Sequence, residues 1–135
     1  MEAYLIATAC TKFEKKPDQS FKNLTEEVYC DLLKSAGVEN GDMIGQAWFG
    51  NCGMGTFGQN NIRGQVCFTP LVRRKLFPER VGIINVEGGC ATGSMAFHGA
   101  WKDVISGTED VSLAIGVEKI YQPDRPEKIQ EIYDG

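Results

Sequence analysis

The sequence predicts an α/β fold built on a mainly parallel sheet. Three observations carry that expectation. Short continuous apolar runs rich in β-branched residues recur along the chain, as buried strands require. Segments with the apolar spacing of helices separate them. Glycine, sixteen in 135 residues, gathers where one kind of segment gives way to the other.

Residues 3–8 (AYLIAT) form the first apolar run and are read as a buried strand. Residues 10–23 are polar, contain Pro17 and are read as a loop. Thr25 followed by Glu26 and Glu27 marks a helix start, with Thr25 as N-cap. Val28, Leu32, Leu33 and Ala36 share one helical face, and Gly37 ends the helix. Residues 43–49 are the second strand. A turn-rich loop with five glycines follows from Gly50 to Gly64. The next helix is expected over Ile62–Leu76, stopped by Pro78. Residues 81–86 (VGIINV) are the clearest buried strand, and Gly88-Gly89 makes the turn after it. Residues 90–106 read as a helix apolar or small nearly all round, hence covered on several sides by a second layer. Residues 111–117 are the last strand. The tail from Tyr121 is charged and is expected to lack a closing element. The strand-helix alternation calls for right-handed crossovers.

Fourteen basic and eighteen acidic residues give a net charge of −4, which argues against a nucleic-acid surface. No apolar run approaches the ~20 residues that span a bilayer, so no membrane partner is expected. The first residues, Met1-Glu2-Ala3-Tyr4, lack the basic region of a signal peptide. A cytoplasmic location follows as an expectation. Cys10, Cys30, Cys52, Cys67 and Cys90 are then read as reduced thiols, the first four as packing residues. Their wide spacing and the single histidine, His98, leave no metal site in view.

The informative segment is Val86-Glu87-Gly88-Gly89-Cys90-Ala91-Thr92-Gly93-Ser94. It places Cys90 where a buried strand turns into a helix. Unpaired N–H groups and the positive end of a helix dipole favour a thiolate at such a position. Gly88 and Gly89 leave room for a substrate to approach the sulfur. A cysteine is also a common packing residue at a tight turn. Geometry read from sequence leaves both readings open. Glu87 beside the turn either repels the thiolate or bonds a backbone group.

Gly89-Cys90-Ala91-Thr92-Gly93 resembles the nucleophile motif of the thiolases, Cys-Ala-Ser-Gly or a close variant at the start of a central buried helix. Asp110–Glu118 (DVSLAIGVE) resembles the family's following strand, with Ile115 where a glycine is usual. Gly58-Gln59-Asn60 resembles the Gly-Gln-Asn segment before the family's second helix. Thr11-Lys12-Phe13 resembles the branch related to sterol-carrier-protein thiolases. The resemblance runs from about residue 3 to residue 120.

The resemblance implies the N-terminal half of a thiolase-like fold, with residues 1–120 as an incomplete domain. Residues 121–135 would be the start of a loop region or a truncated tail. It implies acyl-CoA acyltransferase chemistry with no bound cofactor and a coenzyme A thioester as substrate. Cys90 would take the acyl group and its N–H would be one oxyanion-hole donor. The acyl group would pass to coenzyme A or to an acyl-CoA carbanion. A homodimer is implied, with the loop containing Gly58, Gln59 and Asn60 reaching toward the partner's site. A small zinc-ribbon/OB-fold protein is a further partner found in this branch. The family's histidine base in Gly-His-Pro, its second cysteine and its late Asn or His motif do not occur here. His98 lies eight residues beyond Cys90, about 12 Å along a helix, too far to serve as its base. The chain is therefore read as a fragment, a truncated gene product or one piece of a split enzyme, expected to turn over poorly or not at all alone.

Two rivals stand beside this reading. One is a non-catalytic half-domain that binds acyl-CoA or a partner chain. The other is a dinucleotide-binding domain, because Gly53, Gly55 and Gly58 spell GxGxxG after a strand, with Glu87 as the ribose acid. Glu87 lies 29 residues past Gly58, farther than the usual ~20. Arg73-Arg74-Lys75 reads as a solvated helix face, with coenzyme A phosphates as the alternative ligand. His98 reads as a packed helix residue.

Overall fold

The computed structural model describes residues 2–131. Three strands form a parallel sheet in the order β2-β1-β3: β1 Gln46–Gly50, β2 Gly82–Val86 and β3 Ser112–Gly116. Trp48 of β1 stands opposite Ile84 on one side and Ala114 on the other. Helix α1 (Phe21–Ala36) precedes β1, α2 (Arg63–Arg73) links β1 to β2, and α3 (Thr92–Ile105) links β2 to β3. A one-turn helix, α4 (Lys128–Glu131), follows in the tail, where no closing element was expected.

Alternation along β1 assigns the two faces of the sheet. Ala47 and Phe49 enter the main core with Phe68 and Leu71 of α2 and with Leu24, Tyr29 and Leu33 of α1. Phe49, Phe68, Tyr29 and Phe77 meet edge to face, with ring centroids 4.4–6.3 Å apart. Trp48 and Gly50 point the other way, toward α3. A Cβ on Gly99 would overlap the Trp48 indole, and one on Gly50 would stand 3.0 Å from the Thr92 methyl. Gly99 of α3 and Gly50 of β1 therefore let the helix lie close on the strand.

The helix ends explain shifted boundaries. Ser20 caps α1: its hydroxyl accepts the Asn23 N–H at 3.1 Å, while the Asn23 side chain accepts the Ser20 N–H at 3.2 Å. The helix thus starts four residues before the expected Thr25 cap. Thr25 is buried inside the helix, its hydroxyl donating to Phe21 O at 2.8 Å. Gly37 ends α1 in the left-handed conformation, as expected. α2 stops at Arg73, short of Leu76, because Lys75 turns left-handed (φ 59°) and Leu76 N–H bonds back to Leu71 O.

Two further expectations need correction. Residues 3–8 belong to no strand, and Tyr4, Leu5 and Ile6 are 77, 69 and 68 % exposed. Apolar patterning reports that a segment wants cover; a ladder also needs a sheet edge aligned to receive it. The β2 strand is half-exposed rather than buried: α3 packs over β1 and β3 and leaves Ile84 39 % exposed. No helix among the described residues is long and apolar enough to cross a membrane.

Candidate active site

The three strands end together at Gly50, Val86 and Gly116. Connections leave β1 and β2 toward opposite sides of β1, so a crevice opens beyond the C-terminal ends of β1 and β3. A cavity of about 370 Å³ fills it, lined by Asn51 and Cys52 after β1, Val117 and Glu118 after β3, and Cys90 and Gly93 at the start of α3. Cys90 is exposed there. It sits in a 3₁₀ turn, Gly89–Ala91, two residues before the first residue of α3. The expected meeting of strand, sharp turn and helix N-terminus is therefore what the chain forms.

The turn is held by its own polar groups. Gly89 takes φ 55°, a value side chains resist and glycine accepts. Thr92 Oγ1 accepts the Gly88 N–H at 2.9 Å and donates to Gly89 O at 2.8 Å. Glu87 Oε1 accepts the Gly89 N–H at 2.7 Å. Of the two roles left open for Glu87, the structure gives it the backbone bond.

The opposite wall is a hydrogen-bonded loop. Asn51 is 2 % exposed; its Nδ2 donates to Val117 O at 2.7 Å and its Oδ1 accepts the Met54 N–H at 3.0 Å. Arg63 Nη1 donates to Asn51 O at 2.7 Å. The Glu118 carboxylate accepts the N–H groups of Cys52 at 2.9 Å and Gly53 at 3.1 Å. The Cys52 thiol donates to Glu87 at 3.8 Å. Burial first, then the charges of Glu87 and Glu118, push the Cys52 thiol above its ordinary pKa range.

His98 is exposed and stacks on Trp101 at 5.4 Å, away from the cavity, so it is not the packed residue expected. Cys10 is exposed and Cys30 and Cys52 are partly so; of the four expected to pack, only Cys67 is buried. The outer face of α3 is uncovered too, with Met95, Phe97 and Trp101 exposed where burial on several sides was expected. Gly58, Gln59 and Asn60 lie outside the cavity lining; Gln59 Nε2 donates to Asn61 O at 2.5 Å. Arg73, Arg74 and Lys75 are exposed at the end of α2, with Arg74 paired to Glu26. Among the described residues no three His, Cys, Asp or Glu side chains converge to hold a metal ion.

The dinucleotide rival fails on geometry. Gly53–Phe57 coils into a 3₁₀ turn whose first N–H is taken by Glu118, and α2 begins only at Arg63. A pyrophosphate needs free N–H groups on a glycine turn that opens directly into a helix.

The family model described as the thiolase N-terminal domain matches residues 3–132. This chain belongs to the thiolase family. It is 33 % identical over 122 residues to an acetyl-CoA acetyltransferase of Methanocaldococcus jannaschii, covering 86 % of this chain and 28 % of that one. It is 32 % identical over 117 residues to the benzoylsuccinyl-CoA thiolase subunit BbsB of Thauera aromatica, covering 87 % of this chain and 28 % of the subunit. An acetyl-CoA acetyltransferase of Methanothermobacter thermautotrophicus is 30 % identical over 121 residues, again with 29 % of its length spanned. The chain thus spans less than a third of each of these thiolase relatives. The sequence reading of the wall missed Asn51, Cys52 and the clamp by Glu118. The signal was present in the Gly-Val-Glu end of the β3 motif, whose glutamate had no role assigned.

Proposed function

We propose that this thiolase-family chain supplies the acyl-accepting half of a coenzyme A-dependent acyltransferase, with Cys90 as nucleophile. The exposure of Cys90 in the cavity at the N-terminal end of α3 carries this reading. The Cys90 thiolate attacks the thioester carbonyl of an acyl-CoA. The carbonyl oxygen takes the negative charge next to the N-terminal end of α3, where the Cys90 N–H and the helix dipole stabilise it. The tetrahedral species collapses, the bond to coenzyme A sulfur breaks, and the acyl group stays on Cys90 as a thioester. Coenzyme A leaves as its thiolate and takes a proton from solvent.

No histidine stands in the cavity lining, so the second half-reaction, transfer to coenzyme A or to an acyl-CoA carbanion, needs residues supplied from elsewhere. The uncovered apolar face of α3, with Phe97 55 % exposed, supports the same conclusion: a second layer, from a longer thiolase chain or a split partner, belongs there. The half-exposed β2 edge suits a second copy meeting this one, with the Gly58-Gln59-Asn60 loop reaching toward its site.

Mixing the protein with acetyl-CoA and mapping the adduct by mass spectrometry tests the reading. The expected result is acetyl on Cys90, lost in Cys90→Ser, with exposed Cys10 unmodified. Acyl-CoA that binds without an adduct would instead identify a non-catalytic half-domain, the role to which the missing base otherwise points.

A further inference from the structure

The geometry points to Glu118 as a positioning residue for acylation of Cys90, an inference that rests on the nucleophile reading above. Glu118, just past the end of β3 in the cavity lining, bonds to the loop that follows β1. Its Oε2 accepts the Cys52 N–H at 2.9 Å, and both oxygens receive the Gly53 N–H at 3.1 Å. Its Oε1 also takes Asn51 Nδ2 at 3.2 Å and the Lys119 N–H at 3.3 Å. Three consecutive residues, Asn51, Cys52 and Gly53, are thereby tied to one carboxylate, and the first two line the cavity with Cys90.

Glu118 is exposed rather than buried in the core. What it holds is the wall across which an acyl thioester has to lie to reach the sulfur. Four N–H donors match its charge, so it places a fixed wall rather than a free anion beside the reacting carbonyl. A seat displaced by about 1 Å loses much of the advantage of bringing reactants together. Loosening this wall therefore weakens how the acyl thioester is held, and leaves the sulfur itself accessible.

The test follows Cys90 acylation by mass spectrometry across acetyl-CoA concentrations, in the wild type, Glu118→Gln and Glu118→Asp. The amide turns an NH2 toward backbone N–H donors. In Glu118→Gln the concentration for half-maximal acylation is expected to rise about tenfold. Alkylation of Cys90 by iodoacetamide, which needs no seat, is expected to stay within about twofold. Glu118→Asp keeps the charge and is expected to recover part of the loss. A purely structural role would instead change alkylation, melting and acylation together, and that outcome overturns the proposal, as does wild-type saturation in Glu118→Gln. Amide exchange in the wild type tests the clamp even if the variant does not fold. Protected amides at Cys52 and Gly53 support it, and free-peptide exchange rates overturn it. Wild-type protein that takes up no acyl group sinks the nucleophile reading itself, and this role with it, whatever the amides show.

Discussion

Asp103 of α3 accepts the Trp48 indole N–H at 2.6 Å, bonding the helix that follows Cys90 to the central strand. The same oxygen receives the Ser112 hydroxyl at 2.8 Å, so α3, β1 and β3 meet at one carboxylate. Asp103→Ala leaves the part-buried Trp48 N–H without a partner and the Ser112 hydroxyl with only its longer bond to Gln46 O at 3.4 Å. It should cost about 2–3 kcal/mol. Denaturant unfolding of Asp103→Ala, Trp48→Phe and the double variant measures this. The coupling between the two sites should exceed about 0.5 kcal/mol, the usual limit of additivity for independent positions.

Tyr29 gives the main core a pH signature. It is fully buried, and its hydroxyl donates to Leu76 O at 3.0 Å. Burial, then the charges of Cys30 and Asp42, push its pKa well above 10.0. A tyrosine raised in the folded state holds its proton where the unfolded chain has released it. Its contribution to stability is thus complete below about pH 10 and declines as pH rises above that value. Tyr29→Phe should lower stability at pH 7 by about 1 kcal/mol. It should also flatten the loss above pH 10, as urea unfolding across pH would show.

Much of the architecture was legible because it follows from local chemistry. The β2 run Gly82–Val86 and the β3 run Ser112–Gly116 fall within a residue of expectation, since glycines and polar turns bracket both. The place of Cys90 in the fold, at a turn between strand and helix, was legible for the same reason: a strand, two glycines and a helix start lie in one stretch of chain. Residues 3–8 were misread because nothing local says whether an edge awaits them. The Glu118 clamp escaped because it joins residues 65–67 positions apart in sequence. Only the parallel pairing of β1 with β3 brings them together. His98 was expected to pack because its neighbours are apolar, yet it lies on the face of α3 turned away from the sheet.

The cysteines should separate by accessibility. Cys67 is fully buried, and burial pushes its thiol pKa up, so the native thiol is shielded and less prone to ionise. At pH 7 iodoacetamide should modify Cys10 and Cys90 while Cys67 reacts at least about a hundredfold more slowly, opening only with local unfolding. Peptide mass mapping over time reads each site. Equal rates at Cys67 and Cys10 would mean that the core between α1 and α2 is not closed.

Thr92 offers the most direct test of how the Cys90 turn is held. Its hydroxyl both accepts the Gly88 N–H and donates to Gly89 O, spanning the residues before the cysteine. The side chain is buried, and its methyl faces Gly50 across the packed junction of β1 and α3. Thr92→Val keeps that methyl contact and removes both hydrogen bonds. The expected cost is about 1–2 kcal/mol of stability, because the part-buried Gly88 N–H loses its acceptor, while Gly89 O keeps the Thr92 N–H. Acylation of Cys90 by acetyl-CoA should slow by about tenfold or more, since the turn no longer fixes the sulfur against the start of α3. Thr92→Ser retains the hydroxyl and loses the methyl. It should acylate near the wild-type rate while giving up about 1 kcal/mol of packing. If Thr92→Val and Thr92→Ser slow acylation equally, the hydroxyl bridge does not position Cys90, and the packing against Gly50 does.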